Sequence, residues 1–71
     1  MAALPTVDVR DMLCAQALAV VGRAVEALHH GERLDVRYNA EDVRRDLWLW
    51  ATDRGHRISS PQEETLRIER G

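Results

Sequence analysis

The sequence predicts an α/β fold: a two-layer sandwich in the order β-α-β-α-β-β, with two helices on one face of a four-stranded mixed sheet. Two observations carry that expectation. Apolar residues alternate at a period of two in Leu34-Asp35-Val36-Arg37-Tyr38 and in Leu66-Arg67-Ile68, as in strands buried on one face. Elsewhere they recur at helical spacing, as Leu18, Val21, Val25 and Leu28, and as Val43, Leu47, Trp50 and Ala51. A chain of 71 residues has room for a single domain over 1–71, and at this size only about 60% of the unfolded surface is buried.

The elements follow in order. Leu4 to Arg10 forms the first strand, with Val7 and Val9 on one face and Asp8 and Arg10 on the other. Residues 15 to 30 form the first helix, with Leu13 or Cys14 at its N-cap and Gly31 at the C′ position. Glu32 to Tyr38 is the second strand. Asn39 is placed to cap a second helix from Glu41 to Arg54, whose first turn carries Glu41 and Asp42 and which Gly55 ends. Ile58 lies in a short third strand, Ser59-Ser60-Pro61-Gln62 reads as a turn, and Thr65 to Arg70 is the last strand.

Composition narrows the function classes. Hydrophobic residues make up 45% of the chain and the formal charge is −2, as in an ordinary globular domain. The acidic balance argues against a nucleic-acid-binding domain. Met1 to Val7 lacks the charged and apolar regions of a secretory signal, and the apolar run Ala17 to Val21 is too short to span a bilayer, which makes the cytoplasm the expected location. No Ser-His-Asp set, phosphate loop or paired-cysteine metal site is present. All ten basic residues are arginine.

The single cysteine, Cys14, sits between the first strand and the first helix. It cannot form an internal disulfide, which favours a reducing compartment or a thiol kept free for use. A helix N-terminus offers unpaired backbone N–H groups and a positive dipole end, both of which stabilise a thiolate. The alternative is a small buried hydrophobe.

Three stretches belong together: Val7-Asp8-Val9-Arg10-Asp11-Met12-Leu13-Cys14-Ala15-Gln16-Ala17; Ala27-Leu28 followed by Gly31-Glu32-Arg33-Leu34-Asp35-Val36; and Asp46-Leu47, Trp50-Ala51 and Gly55-His56. In this order and spacing they resemble the TusA/SirA-type family of small sulfur-carrier proteins over nearly the whole chain. That family's cysteine motif is Leu-Asp-x-Arg-Gly-Leu-x-Cys-Pro-x-Pro. Here both prolines are replaced, by Ala15 and Ala17, the glycine is Asp11, and the family's Asp-Pro opening the second helix is Ala40-Glu41.

The resemblance implies a carrier that takes a sulfane sulfur on Cys14 as a persulfide and hands it on, with no cofactor and no metal. It implies a sulfur donor, such as a cysteine desulfurase or a rhodanese-like protein, and a downstream acceptor protein. It implies neither direct nucleic-acid binding nor a membrane. Family members serve tRNA thiolation, cofactor biosynthesis or sulfur oxidation, and the residues here select none of these.

Proline in the first turn would stiffen the cysteine loop, whereas Ala15 and Ala17 restore backbone N–H donors beside Cys14. The thiol is therefore expected to keep a depressed pKa, with the Asp11 carboxylate pulling the other way. Arg10 is a candidate for holding an anionic persulfide or an acidic partner; otherwise it pairs with Asp8 or Asp11. Asp46 is read as part of a solvated helix face. Trp48 and Trp50, two positions apart, cannot share one helix face; Trp50 fits the core stripe, leaving Trp48 partly exposed as a partner anchor or lying on Arg44 or Arg45. His29 and His30 suit a helix end rather than a metal site, and His56 is expected to be a structural hydrogen-bonding residue. Two other functions compete with the carrier: a docking or regulatory module of the same fold in which Cys14 carries no sulfur, and a redox-sensing thiol that forms external disulfides.

Overall fold

The computed structural model describes residues 4–71, so the expectation for Met1 to Ala3 lies outside the described residues. It contains β1 (Thr6–Asp8), α1 (Cys14–Glu26), β2 (Arg33–Arg37), α2 (Glu41–Asp53), β3 (Arg57–Gln62) and β4 (Thr65–Glu69), in the expected order. The four strands form one mixed sheet in the order β1-β2-β4-β3. β1 pairs parallel with β2, while β4 runs antiparallel to both β2 and β3. Both helices pack on one face.

The alternation in β2 and β4 sets the core. Leu34, Val36, Leu66 and Ile68 point inward and are essentially inaccessible. They meet Ala17, Val21 and Val25 of α1 and Val43, Leu47 and Ala51 of α2. Each fully buried aliphatic side chain of this kind contributes about 1.5–3 kcal/mol. Because β1 and β2 are parallel, α1 and α2 both begin at the end of the sheet where those strands finish. The cysteine loop and the start of α2 therefore share one end of the molecule.

Several boundaries differ from the sequence expectation. β1 is reduced to three ladder residues, extended by hydrogen bonds from Asp35 N to Pro5 O and from Val9 N to Arg37 O, both 2.9 Å. α1 stops at Glu26 rather than residue 30, because the Arg70 guanidinium takes the carbonyls of Glu26 (2.8 Å) and Leu28. Gly31 does adopt a positive φ of 82°, but in the turn entering β2 rather than at the helix C′ position. The cap of α2 is Ala40, with no side-chain capping bond, since Asn39 is engaged elsewhere. At the other end of α2 the expected glycine holds. Gly55 N bonds Thr52 O (3.1 Å) and His56 N bonds Ala51 O (2.9 Å), a Schellman motif built on Gly55 at φ 79°.

Ser59-Ser60-Pro61-Gln62 is strand, not turn. β3 runs through it with a register shift between Ser59 and Gln62, and the reversal occurs at Glu63-Glu64, where Glu64 has φ 56°. Proline is tolerated there because β3 is an edge strand and its N–H would have faced solvent.

Candidate functional site

Cys14 is the first residue of α1, and Leu13, in extended conformation, is its cap without a side-chain capping bond. The N–H groups of the first turn thus lack a side-chain acceptor from the cap residue. Leu13 projects into solvent at 79% exposure beside a half-buried Cys14.

The preceding turn is held from across the sheet end. Asp11 takes φ 66°, a left-handed conformation that costs most residues about 1 kcal/mol and that Asp tolerates better than most. This is the position where the family motif has glycine. Asn39 supports it with two bonds, accepting from Asp11 N (3.0 Å) and donating to Asp11 Oδ1 (2.8 Å). Asn39 thereby ties the β1–α1 turn to the β2–α2 turn instead of capping α2.

The electrostatics at the thiol run opposite to the expectation. Cys14 is pushed up from 9.0 to about 11: first by partial burial, then by the carboxylates of Asp46 and Asp42, which favour the proton on sulfur both as acceptors and as negative charges. The helix dipole is present but does not prevail over desolvation and two acids. Asp42 and Asp46 are one turn apart on the flank of α2 that faces α1, and no ion pair engages either among the described residues. Asp46 is therefore part of the thiol's surroundings rather than of a plain solvated face. The sequence held a signal for this in the i, i+4 acid pair on a helix that starts at the same sheet end as Cys14.

The other candidates lie apart from the sulfur. Arg10 is closed onto Asp8, its Nη2 2.7 Å from Oδ2 and its Nε 3.0 Å from Oδ1. That contact holds the Asp8 carboxyl at about 2. Trp48 occupies the flank of α2 opposite Asp46 and is half-buried against the core, so it does not approach the thiol. Trp50 is likewise half-buried rather than fully in the core; it lies near Gly22 of α1, and its ring meets His56 at 5.5 Å between centroids and Arg54 at 5.9 Å. His56 Nδ1 accepts from Gly71 N at 3.1 Å, the structural role expected of it, and His30 Nδ1 lies 2.8 Å from Gly71 O. Among the described residues no group of three or more His, Cys, Asp or Glu side chains is placed to hold a metal ion, and no helix is long and apolar enough to cross a membrane.

The family model described as sulfurtransferase TusA matches residues 5–69, from the start of β1 to the end of β4. The chain belongs to the TusA sulfurtransferase family. Comparisons with curated proteins and with solved structures returned no match. Membership in the TusA family suggests a sulfur-carrier role and, with it, partners in sulfur transfer. Its cysteine loop departs from the family motif, with Ala15 and Ala17 in place of two prolines and Asp11 in place of a glycine in a turn that takes positive φ.

Proposed function

We propose that this protein carries sulfur as a persulfide on Cys14, receiving it from a persulfide-bearing donor protein and passing it to an acceptor protein. The observation that supports the reading most is the position of Cys14. The family's cysteine falls at the first residue of α1, half-exposed at an open end of the molecule and next to an exposed Leu13.

The transfer conserves oxidation state. Cys14 loses its proton, and Sγ attacks the outer sulfur of the donor's persulfide. A new S–S bond forms at Cys14, the donor's S–S bond breaks, and its inner sulfur leaves as thiolate. Delivery repeats the step with Cys14 as leaving group. Asp46 and Asp42 keep the proton on the free thiol, so it leaves to solvent or to a base on the donor as Sγ attacks, while the uncapped N–H groups of the first turn of α1 are placed to favour the terminal sulfur anion. With the thiol near 11, only about 1 part in 10,000 is thiolate at neutral pH, so the free protein is a slow nucleophile and loading depends on the environment a donor supplies. Cytoplasmic location and the roles of Arg10, Asp11 and Trp48 in partner binding are part of the same proposal.

Intact-protein mass spectrometry after incubation with a cysteine desulfurase plus cysteine, and separately with polysulfide, tests it. A gain of sulfur mass that reductant reverses and that Cys14→Ser abolishes is the expected result. No gain from either source, under conditions where a proline-containing relative loads, would transfer the protein to the docking-module reading.

A further inference from the structure

Among the described residues no helix covers the face of the sheet opposite α1 and α2, and its charges are unevenly matched. Alternation places four arginines outward, Arg33 and Arg37 on β2, Arg67 on β4 and Arg57 on β3, against the carboxylates of Asp8, Asp35 and Glu69. Two of those carboxylates are already engaged. Asp35 is held by Arg67 through both oxygens (2.8 and 3.2 Å), and Asp8 is held by Arg10. Glu69 lies in the cross-strand row between Arg33 and Arg57 and approaches Arg57 only to 4.0 Å, leaving that side chain 86% exposed. Among the described residues, Arg33 and Arg37 have no ion pair and no side-chain hydrogen bond.

Two depressions mark this face. One of about 420 Å³ is lined by Arg33, Arg57 and Arg67 with Ile58, Ser59 and Glu69. A second, of about 310 Å³, has Arg37 in its wall with Asp35 and Thr65. The Arg67–Asp35 pair stands between them. A chain of net charge −2 thus presents an arginine-rich surface on which, among the described residues, Arg33 and Arg37 have unspent guanidinium donors and Arg57 is only loosely engaged.

We propose that this face docks an acidic segment of a partner protein, whose carboxylates take Arg33, Arg37 and Arg57. The planar guanidinium fork matches a carboxylate with two parallel bonds, and Arg67 already makes that contact with Asp35 on the same surface. A nucleic-acid strand fits less well. Binding of unpaired bases relies on aromatic platforms, whereas Tyr38, Trp48 and Trp50 all lie on the helical side of the sheet. Cys14 belongs to the helical layer, so a partner seated here leaves the thiol open. The proposal does not depend on sulfur transfer.

The test is an amide-resonance titration of isotope-labelled protein with a synthetic Glu/Asp-rich peptide and, separately, with a single-stranded oligonucleotide of matched charge. The peptide is expected to shift resonances of β2, β3 and β4, with affinity falling as salt rises. Arg33→Gln together with Arg57→Gln is expected to weaken it roughly five- to tenfold with an unchanged thermal midpoint. Arg57→Glu alone, at a highly exposed position, serves the same purpose should the double variant lose its fold. Shifts centred elsewhere, undiminished affinity in the variants, or binding of the oligonucleotide but not the peptide would each overturn the proposal. Loading of Cys14 by polysulfide, measured alongside, is expected to be unchanged in all three proteins.

Discussion

Replacing Asp42 and Asp46 by asparagine should make Cys14 a better nucleophile. The rise from 9.0 to about 11 lowers the thiolate fraction at neutral pH about a hundredfold. Partial burial is its largest cause, and asparagine leaves that burial in place, so the acids account for only a portion. With that portion removed, the double variant carries more thiolate at neutral pH, by less than the full hundredfold. A less basic thiolate is also intrinsically weaker, by about threefold per pH unit, so the rate with a small disulfide or haloacetamide should rise by less than about tenfold. The assay is the pH dependence of that rate alongside the ultraviolet absorbance of the thiolate. Both midpoints should move down together in the variant. If the wild-type thiol titrates at or below 9.0, or if the double variant reacts at the wild-type rate with an unmoved midpoint, the assignment of Asp42 and Asp46 as governors of the sulfur fails.

Two further outcomes follow from contacts away from the thiol. Asn39→Ala removes both bonds to Asp11 and leaves a left-handed aspartate without its support; it should cost about 1 kcal/mol in urea unfolding and speed amide exchange at Asp11, and an unchanged midpoint would show the pairing to be incidental. His56 is pushed below its ordinary 6.5 by burial and by the charges of Arg70 and Arg54, so as pH falls below 6.5 the unfolded chain binds a proton that the native chain resists; stability should fall there, and His56→Gln should flatten the dependence of thermal midpoint on pH in that window.

The sequence made the fold legible where one local pattern met no distant competitor. Leu34-Asp35-Val36 and Leu66-Arg67-Ile68 alternate without interruption, and both became paired strands in the core. Gly55 ended α2 because a positive φ there is a local requirement. The misses came from groups far apart in the chain. The apolar stripe of α1 continues to Leu28, but Arg70, 42 residues further on, captures the carbonyl of Leu28. Asn39 has the chemistry of a cap, yet Asp11 claims it from 28 residues away. Pro61 reads as a turn until β3 is known to be an edge. The position of the thiol was visible from its motif; of its raised pKa only the Asp42/Asp46 pair was visible, because its closeness to Cys14 depends on how the two helices pack.

The rims of the sheet bear on whether this chain stays apart from its own copies. On one side β1 offers only three residues of free backbone, too few to template another strand. On the other, β3 combines a register shift with Pro61, which has no N–H to donate, so an incoming strand would meet a broken row of donors. Neither rim, among the described residues, offers a long unbroken row of donors and acceptors, so addition of a further strand is disfavoured on both sides.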